Sequence, residues 1–316
     1  MRNNLIFVVF SSKIGLTNEK RSVYMTAGVD LSFVHLGISI ENMVKSFSIG
    51  GISFAYYGLI IGIGMVAGLF VAQSDAKRRG QDPEIYTDFM LYGVIFAILG
   101  ARLYYVIFQW EYYQNHLGEI LNLRKGGLAI YGGIIAAVIT LYVFTKKHKI
   151  SFLSMADSAC LGLVTGQIIG RWGNFVNCEA FGGYTDSLFA MRIKRSIVNS
   201  NMISQELLNN LILENGIEYI QVHPTFLYES LWNLGVLLFM LWYRHRKHFD
   251  GEMLLIYFIG YGIGRTWIEG LRTDSLLVPG TGLAVSQLLS VVLAAVSLLI
   301  LLYLRKKTAE KRKVES

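Results

Sequence analysis

Three arginines stand inside segments that are otherwise apolar, and their positions most need an explanation. Arg102, Arg171 and Arg265 each interrupt a hydrophobic run that approaches the length of about 20 residues needed to span a bilayer. An arginine at the centre of a membrane helix costs about 2.5–3.5 kcal/mol on insertion scales, so such residues face the protein interior and mark functional sites. A structural alternative is open for each. Arg265 and Glu269 can neutralise each other four residues apart, and Arg102 and Arg171 can extend to the membrane surface.

Polar residues follow Arg171 closely. The stretch Gly170–Glu179 contains Arg171, Asn174 and Glu179, and it continues into a pair of glycines. Its side chains offer many hydrogen-bond donors and acceptors, and its glycines permit close backbone approach. The alternative is a capped helix end at the water boundary.

A second polar group occupies one face of a predicted helix, because its members are four, four and three residues apart. They are Tyr261, Arg265, Glu269 and Arg272. Two or three arginines at membrane depth, among Asn, Tyr and Gly, suit a buried anion. A phosphate is the obvious candidate because the guanidinium fork binds two of its oxygens. The residues therefore predict an anion site, but charge alone does not say whether the protein catalyses, transports or senses.

Two further motifs each carry a residue with acid–base chemistry. In Gly126–Gly133 the glycines flank the single hydroxyl of Tyr131, and close helix packing through small residues is the alternative. His223–Glu229 opens an apolar segment with a proline in a first-turn position. A lone histidine at such a place is more often a cap than a catalyst.

The composition identifies a membrane protein. Of the 316 residues, 53% are hydrophobic and only 16% are charged, whereas soluble domains carry about 25% charged residues. This excludes disorder and nucleic-acid binding as the main function, and the two cysteines form no disulfide framework or metal site. We predict an all-α polytopic membrane protein with seven transmembrane helices and a small extracytoplasmic head segment, without a metal or organic cofactor. The predicted spans are Gly51–Gln73, Phe89–Gln109, Gly127–Thr145, Phe152–Val176, Phe226–Tyr243, Met253–Leu271 and Gly282–Leu304.

Clusters of Lys and Arg follow every odd-numbered span, which places the C-terminus in the cytoplasm and the N-terminus outside. They begin at Lys77, Lys146, Arg244 and Arg305. The long connection from Tyr184 to Thr225 then lies outside, and the period of Gln205–Leu213 predicts a helix within it.

We therefore divide the chain into three parts. An extracytoplasmic arm spans residues 1–48, a seven-helix membrane domain spans 49–305 with its head at about 184–225, and a basic cytoplasmic tail spans 306–316. The arm carries cations on the side that the charge rule disfavours. We therefore hypothesise that translation starts at Met25 or Met43.

Several long motifs together resemble one known family. GRWGNFVNCEAFGG (Gly170–Gly183) resembles the signature of the bacterial prolipoprotein diacylglyceryl transferases, and the resemblance runs in order over about residues 47–305. The other matching motifs are Ser53–Gly58, Gly100–Tyr105, Gly126–Gly133, His223–Ser230 and Tyr261–Ser275. Several long, rare motifs in the right order are a specific signal, which a single motif would not be.

The resemblance implies an enzyme of the bacterial cell membrane. It would transfer the sn-1,2-diacylglyceryl group of phosphatidylglycerol to the lipobox cysteine of a prolipoprotein signal peptide, and release glycerol-1-phosphate. The partners are thus phosphatidylglycerol, the prolipoprotein and the lipid bilayer, with no nucleic acid. By motif position, the candidate catalytic residues are Arg171, Arg265 and Tyr131. The two arginines would clamp the phosphate, and Glu269 would orient Arg265. The other residues expected to contact the substrates are Asn174, Glu179, Tyr57, Arg102 and His223.

One position departs from the family pattern. Many members carry histidine where this chain has Tyr131, and a tyrosine with a pKa of about 10 is a poor base near neutral pH. Either Tyr131 only positions the headgroup, or another group or water takes the thiol proton. We favour a mechanism in which the arginines stabilise the thiolate and no dedicated base is needed, with His223 as the second choice of base.

Two other classes of protein also place arginines between helices. An anion or lipid transporter would often show inverted repeats with broken helices, and the two halves of this chain do not resemble each other. In a structural or sensory seven-helix protein the polar residues would serve packing alone. The resemblance favours the enzyme.

Overall fold

Seven long helices make up most of the chain in the computed structural model, which describes residues 7–10, 29–123 and 126–315. They are α1 (Tyr56–Arg78), α2 (Glu84–Phe108), α3 (Ile130–His148), α4 (Phe152–Asn177), α5 (Thr225–Tyr243), α6 (Glu252–Glu269) and α7 (Val285–Glu315). Each corresponds to one predicted span. The first predicted span begins too early, because residues 52–55 form a strand and the helix begins at Tyr56.

Six of these helices are long and apolar enough to cross a membrane, which makes the chain a polytopic helical membrane protein. The exception is α6, whose 18 residues include Glu252, Arg265 and Glu269; that it spans the membrane stays a prediction. Large hydrophobic side chains such as Phe70, Phe108 and Leu299 are exposed on the helix surfaces. Such exposure suits contact with lipid tails rather than water.

Small residues bring two pairs of helices into close contact. On α1, a side chain at Gly68 would overlap the carbonyl oxygen of Gly162 on α4, and on α2 one at Gly100 would lie 2.8 Å from the carbonyl oxygen of Gly132 on α3. The packing interpretation of the Gly126–Gly133 motif is therefore confirmed for Gly132. Glycines at these crossings let the helix backbones approach as closely as they do.

We expect Gly68→Leu to destabilise the protein, because its side chain has no space between α1 and α4. Overpacking costs about 1–3 kcal/mol, and more where backbone must move. Thermal unfolding in detergent measures the effect. Gly62→Leu on the same helix is the control, since a side chain there meets nothing within 4 Å. Equal melting temperatures for the two variants would contradict the packing described.

A six-stranded antiparallel sheet forms the head. Its strand order is β1-β3-β2-β6-β8-β7, with β1 at Phe7–Phe10, β2 at Val29–Phe33, β3 at Ile38–Glu41, β6 at Met191–Lys194, β7 at Ile212–Glu214 and β8 at Ile217–Val222. A separate hairpin of β4 (Ser46–Ile49) and β5 (Ile52–Ala55) leads into α1. The helical membrane part agrees with the predicted class, but an all-α class did not include this sheet.

The predicted helix at Gln205–Leu213 is only partly correct. A short helix occupies Gln205–Asn209, and the chain then enters β7, which pairs with β8. Asn215 and Gly216 join the two strands with positive φ angles of 48° and 77°, the conformation in which Asn-Gly favours a tight hairpin. The strand pairing therefore overrides the helical period at Leu213.

The predicted arm contributes three strands to this sheet, β1, β2 and β3. β2 pairs with β6, and Leu31 on β2 is fully buried in the head core. The same core includes Phe181 and Phe226, which lie at the end of the α4 segment and the start of α5. The sheet therefore rests on the ends of the helices that carry the conspicuous arginine motifs. Met25, one of the two hypothesised translation starts, lies outside the described residues.

A buried group of charges ties the helices together at the end opposite the head. The carboxylate of Asp157 on α4 accepts hydrogen bonds from Lys247 Nζ at 2.8 Å and from the backbone N–H groups of Gly251 and Leu254 at 2.9 and 3.1 Å. Gly251 immediately precedes α6, so Asp157 satisfies free N–H groups at the start of that helix. Asp157 thereby fixes α4 against α6.

Candidate active site

One buried carboxylate joins two of the three conspicuous arginines. Glu229 on α5 lies with Oε1 2.6 Å from Arg171 Nη2 on α4 and with Oε2 3.1 Å from Arg265 Nη1 on α6. Its side chain is 3% exposed. Two guanidinium groups thus converge on a single anion between three helices. We call Arg171, Glu229, Arg265 and Glu269 the charge cluster.

Asn174 and Glu179 extend the cluster from the Arg171 side. Arg171 Nη1 donates to Asn174 Oδ1 at 3.2 Å, and Asn174 Nδ2 donates to Glu179 Oε1 at 2.9 Å. The two asparagine bonds use its acceptor and its donor in the only assignment that suits a cation on one side and a carboxylate on the other. Asn174 and Glu179 therefore hold the Arg171 side chain in position.

Glu269 anchors the other arginine. Its Oε2 lies 2.5 Å from Arg265 Nη2 and 3.6 Å from Arg272 Nη1. Its Oε1 accepts hydrogen bonds from Ser275 Oγ at 2.9 Å and Ser286 Oγ at 2.7 Å. The shared helix face predicted for Arg265 and Glu269 is confirmed. The serines fix Glu269 independently of the arginines, and Glu269 in turn orients Arg265.

Backbone hydrogen bonds connect the three segments that carry the cluster. Gly182 N–H donates to the His223 carbonyl at 2.9 Å, and Gly183 N–H donates to the Leu271 carbonyl at 2.9 Å. A side chain at Gly182 would lie 2.8 Å from His223 Cβ and from the Leu271 carbonyl oxygen. Only glycine fits between these two chains, which explains the paired glycines at the end of the signature.

His223 and Tyr57 contact the segments that carry the cluster, through Gly182 and Gly173 respectively. His223 Nδ1 is 3.3 Å from the hydroxyl of Tyr228, and burial lowers the pKa of His223 while Glu206 opposes that shift. Its imidazole is therefore neutral at pH 7. The ring of Tyr57 packs on Gly173, where an added side chain would lie 2.8 Å from its Cδ2, so Tyr57 lines the helix turn between Arg171 and Asn174.

Arg102 lies apart from the cluster and organises a loop. Its Nε donates to the carbonyl of Ile120 at 2.7 Å, and its two terminal nitrogens donate to the carbonyls of Gly126 and Gly127 at 2.8 and 2.9 Å and of Glu119 and Asn122 at 2.7 and 3.3 Å. Each of its three nitrogens is thus engaged with backbone. The structure does not bring Arg102 to the other arginines, and a role for it in lipid binding stays a prediction.

Tyr131 lies on the first turn of α3 with 37% of its surface exposed. Within the described residues, no hydrogen bond or ion pair joins it to the charge cluster. Its predicted catalytic role remains untested by this geometry. The position is suited to contacting a ligand from the side rather than to acting on the arginines.

For the transfer that the motif resemblance implies, we expect Tyr131→Phe to retain activity of the same order as the wild type, because a phenol is a poor base at neutral pH. Tyr131→His should be active as well. Turnover with phosphatidylglycerol and a lipobox peptide measures both. Complete loss in a Tyr131→Phe protein with an unchanged melting temperature would contradict this expectation.

Glu229 is not among the site residues predicted from the sequence. It is the single charged residue of span five and stands four residues before Asn233 in an apolar helix, a placement that by itself marks an intramembrane acid as functional. Its partners lie on two other helices, so its bridging role follows only from the packing.

The fold and this site define a class: a polytopic helical membrane protein in which two partly buried arginines converge on one buried carboxylate at the head end of its helices. Residues 45–303 match the family described as prolipoprotein diacylglyceryl transferase. The chain belongs to this family of transferases, and the resemblance found in the motifs is confirmed.

Its relatives carry the name phosphatidylglycerol–prolipoprotein diacylglyceryl transferase. One from Geobacillus kaustophilus is 42% identical over 259 residues, 82% of this chain and 91% of the relative. One from Listeria monocytogenes is 42% identical over 262 residues, 83% and 90% of the two chains. One from Finegoldia magna is 41% identical over 263 residues, 83% and 96% of the two chains.

Proposed function

We propose that this chain performs the reaction of its family at the charge cluster. It transfers the sn-1,2-diacylglyceryl group of phosphatidylglycerol to the lipobox cysteine of a prolipoprotein, the first step of lipoprotein maturation. The product is a thioether, and glycerol-1-phosphate leaves. The observation that supports this site is the convergence of Arg171 and Arg265 on one carboxylate, because two guanidinium groups spaced to share an anion can hold a phosphate.

The transfer reaction requires fixed positive charge beside the departing phosphate, and the two arginines of the charge cluster supply it. When the thiolate attacks the glyceryl carbon, the C–O bond to the phosphate breaks and negative charge grows on the departing phosphate. Cations fixed beside that oxygen stabilise the transition state more than the bound lipid. Asn174 and Glu179 hold Arg171, and Glu269 holds Arg265, so little reorganisation is needed as the charge develops.

We further propose that the protein lies in the bacterial cell membrane with its head outside and its C-terminus in the cytoplasm. Cationic clusters at Lys77, Lys146 and Arg244 and the basic tail at 306–316 support this orientation. Phosphatidylglycerol and the signal peptide both reach the site from within the bilayer, so openings between helices suit this function better than a water-filled pore.

Reconstitution tests the function directly. Purified protein is mixed with phosphatidylglycerol vesicles and a lipobox peptide, and the peptide mass and released glycerol phosphate are measured. We expect a gain of one diacylglyceryl group, matched by one glycerol phosphate, and no gain for a peptide with serine in place of the cysteine. Binding of phosphatidylglycerol without any mass gain would overturn the enzyme and favour a lipid or anion transporter.

A further inference from the structure

Glu229 has only the two arginines as polar partners in the described structure, whereas the other acids near them have further partners. Within the described part of the chain, the polar groups in contact with its carboxylate are Arg171 and Arg265. Oε1 makes no hydrogen bond of good geometry despite its short distance to Arg171. Glu269 keeps two serine hydroxyls and Glu179 keeps an asparagine amide. Glu229 is therefore the acid whose surroundings change most when the arginines take another partner.

The position of this carboxylate is also the position that the lipid phosphate needs. Glu229 presents one oxygen to each guanidinium, which is how a phosphate diester would present its two free oxygens to the same pair. Both anions cannot occupy the space between the two arginines. Binding of phosphatidylglycerol to both guanidinium groups therefore displaces the carboxylate.

A carboxylate that is almost completely buried does not stay charged without partners. It moves to water or takes up a proton, and its side chain is 3% exposed. The proton donor that the reaction supplies at this point is the cysteine thiol of the prolipoprotein. Displacement by the phosphate thus prepares Glu229 to accept a proton when both substrates are present.

We propose that Glu229 is the catalytic base of the transfer, released for that role by the phosphate of phosphatidylglycerol. This rests on the proposed function. The thiol S–H bond breaks and its proton goes to a carboxylate oxygen of Glu229. The sulfur forms a bond to the glyceryl carbon, the C–O bond to phosphate breaks, and the electron pair stays on the phosphate oxygen. Glycerol phosphate leaves with the proton returned from Glu229, and the carboxylate moves back between Arg171 and Arg265.

The other residues considered as bases fit this role less well. Within the described residues, Tyr131 and His223 make no hydrogen bond or ion pair with Arg171 or Arg265, so displacing an anion from these arginines releases neither of them. Glu229 links lipid binding to deprotonation of the thiol, because the phosphate of the lipid that will be attacked is the anion that frees the base. The thiol therefore loses its proton only when the lipid is in place.

The test compares Glu229→Gln with Glu269→Gln. The first variant keeps the shape of the side chain and removes the base; the second removes an acid that the serines hold in place. At pH 7 we expect Glu229→Gln to lower kcat/KM by about 10²–10⁴-fold, the range for a general base, without weakening binding of phosphatidylglycerol vesicles. The ratio of wild-type to Glu229→Gln kcat/KM should fall about tenfold per pH unit up to about pH 8.5, where the thiol ionises by itself. Glu269→Gln should lose the same factor at every pH.

Two measurements keep the proposal testable even if Glu229→Gln folds poorly. On the wild type, kcat/KM should stay nearly flat from pH 6.5 to 8.5; a tenfold rise per pH unit would show that no base acts and would overturn the proposal. A lipobox peptide with selenocysteine, whose selenol is ionised at neutral pH, should react with Glu229→Gln almost as fast as with the wild type. An equal deficit for thiol and selenol, or no deficit, would also overturn it. If the wild type itself transfers nothing, the proposed function fails instead.

Discussion

We expect alanine in place of Arg171 or Arg265 to lower the rate of diacylglyceryl transfer by about a thousandfold. Each substitution removes one of the two guanidinium groups that converge on the anion position. Loss of a single preorganised donor to a developing oxyanion costs about 10²–10³ in kcat, and a charged donor, whose hydrogen bonds are stronger than those of a neutral one, belongs at the upper end of that range. Turnover in phosphatidylglycerol vesicles with a lipobox peptide measures the loss.

The lysine variants separate charge from geometry. Arg171→Lys and Arg265→Lys keep the cation but lose the planar fork that reaches two partners at once. Arg171 bridges Glu229 and Asn174, and Arg265 bridges Glu229 and Glu269. We therefore expect lysine to restore only a small part of the activity. Full activity of both lysine variants would show that positive charge alone suffices.

A surface arginine supplies the matched control. Arg195 pairs with Glu218 on the head, and its side chain is 40% exposed. Arg195→Ala should leave turnover within a factor of two, because exposed ion pairs contribute about 0–1 kcal/mol. The double variant of Arg171 and Arg265 should cost little more than the more damaging single one, since the two groups act on one anion. Unchanged turnover in a folded Arg171→Ala protein would refute the clamp.

The sequence alone predicts the membrane helices and the helices that carry the two arginines. Long apolar runs mark the spans with little ambiguity, because a helix in lipid must satisfy its own backbone. Local spacing likewise predicts the Arg265–Glu269 pair, since residues four apart share a helix face. These features depend on neighbours within one turn of helix, which periodicity can show.

Contacts between distant segments are the part that spacing cannot supply. Glu229 lies 58 residues from Arg171 in the sequence and meets it only because α5 packs on α4. Arg102 looks like a third member of the cluster in the sequence, yet its nitrogens engage the carbonyls of the loop before α3. The head sheet pairs β2 with β6 across more than 150 residues of sequence. Within this sheet the hairpin of β7 and β8 had a local signal, Asn215–Gly216, from which it could have been predicted.

The largest stability effect should come from the other end of the helices. Asp157→Ala leaves Lys247 and the N–H groups of Gly251 and Leu254 without their buried acceptor. A buried donor left without its acceptor costs about 1–3 kcal/mol, and three donors lose the same carboxylate here, although Lys247 keeps its contact with Asp250. We expect a correspondingly large fall in the melting temperature of the protein in detergent or lipid nanodiscs.

Asp250 is the matched control, because it pairs with the same lysine from an exposed position. Lys247 Nζ lies 2.8 Å from Asp157, which is 0% exposed, and 2.7 Å from Asp250, which is 44% exposed. Asp250→Ala should therefore cost about 0–1 kcal/mol. Equal losses in the two variants would contradict a burial-dependent role. Because Asp157 joins α4 to α6 far from Arg171 and Arg265, we expect the folded fraction of Asp157→Ala to keep its turnover at low temperature. If Asp157→Ala instead lowers turnover without lowering stability, the contact between α4 and α6 at the end opposite the head controls the distance between Arg171 and Arg265.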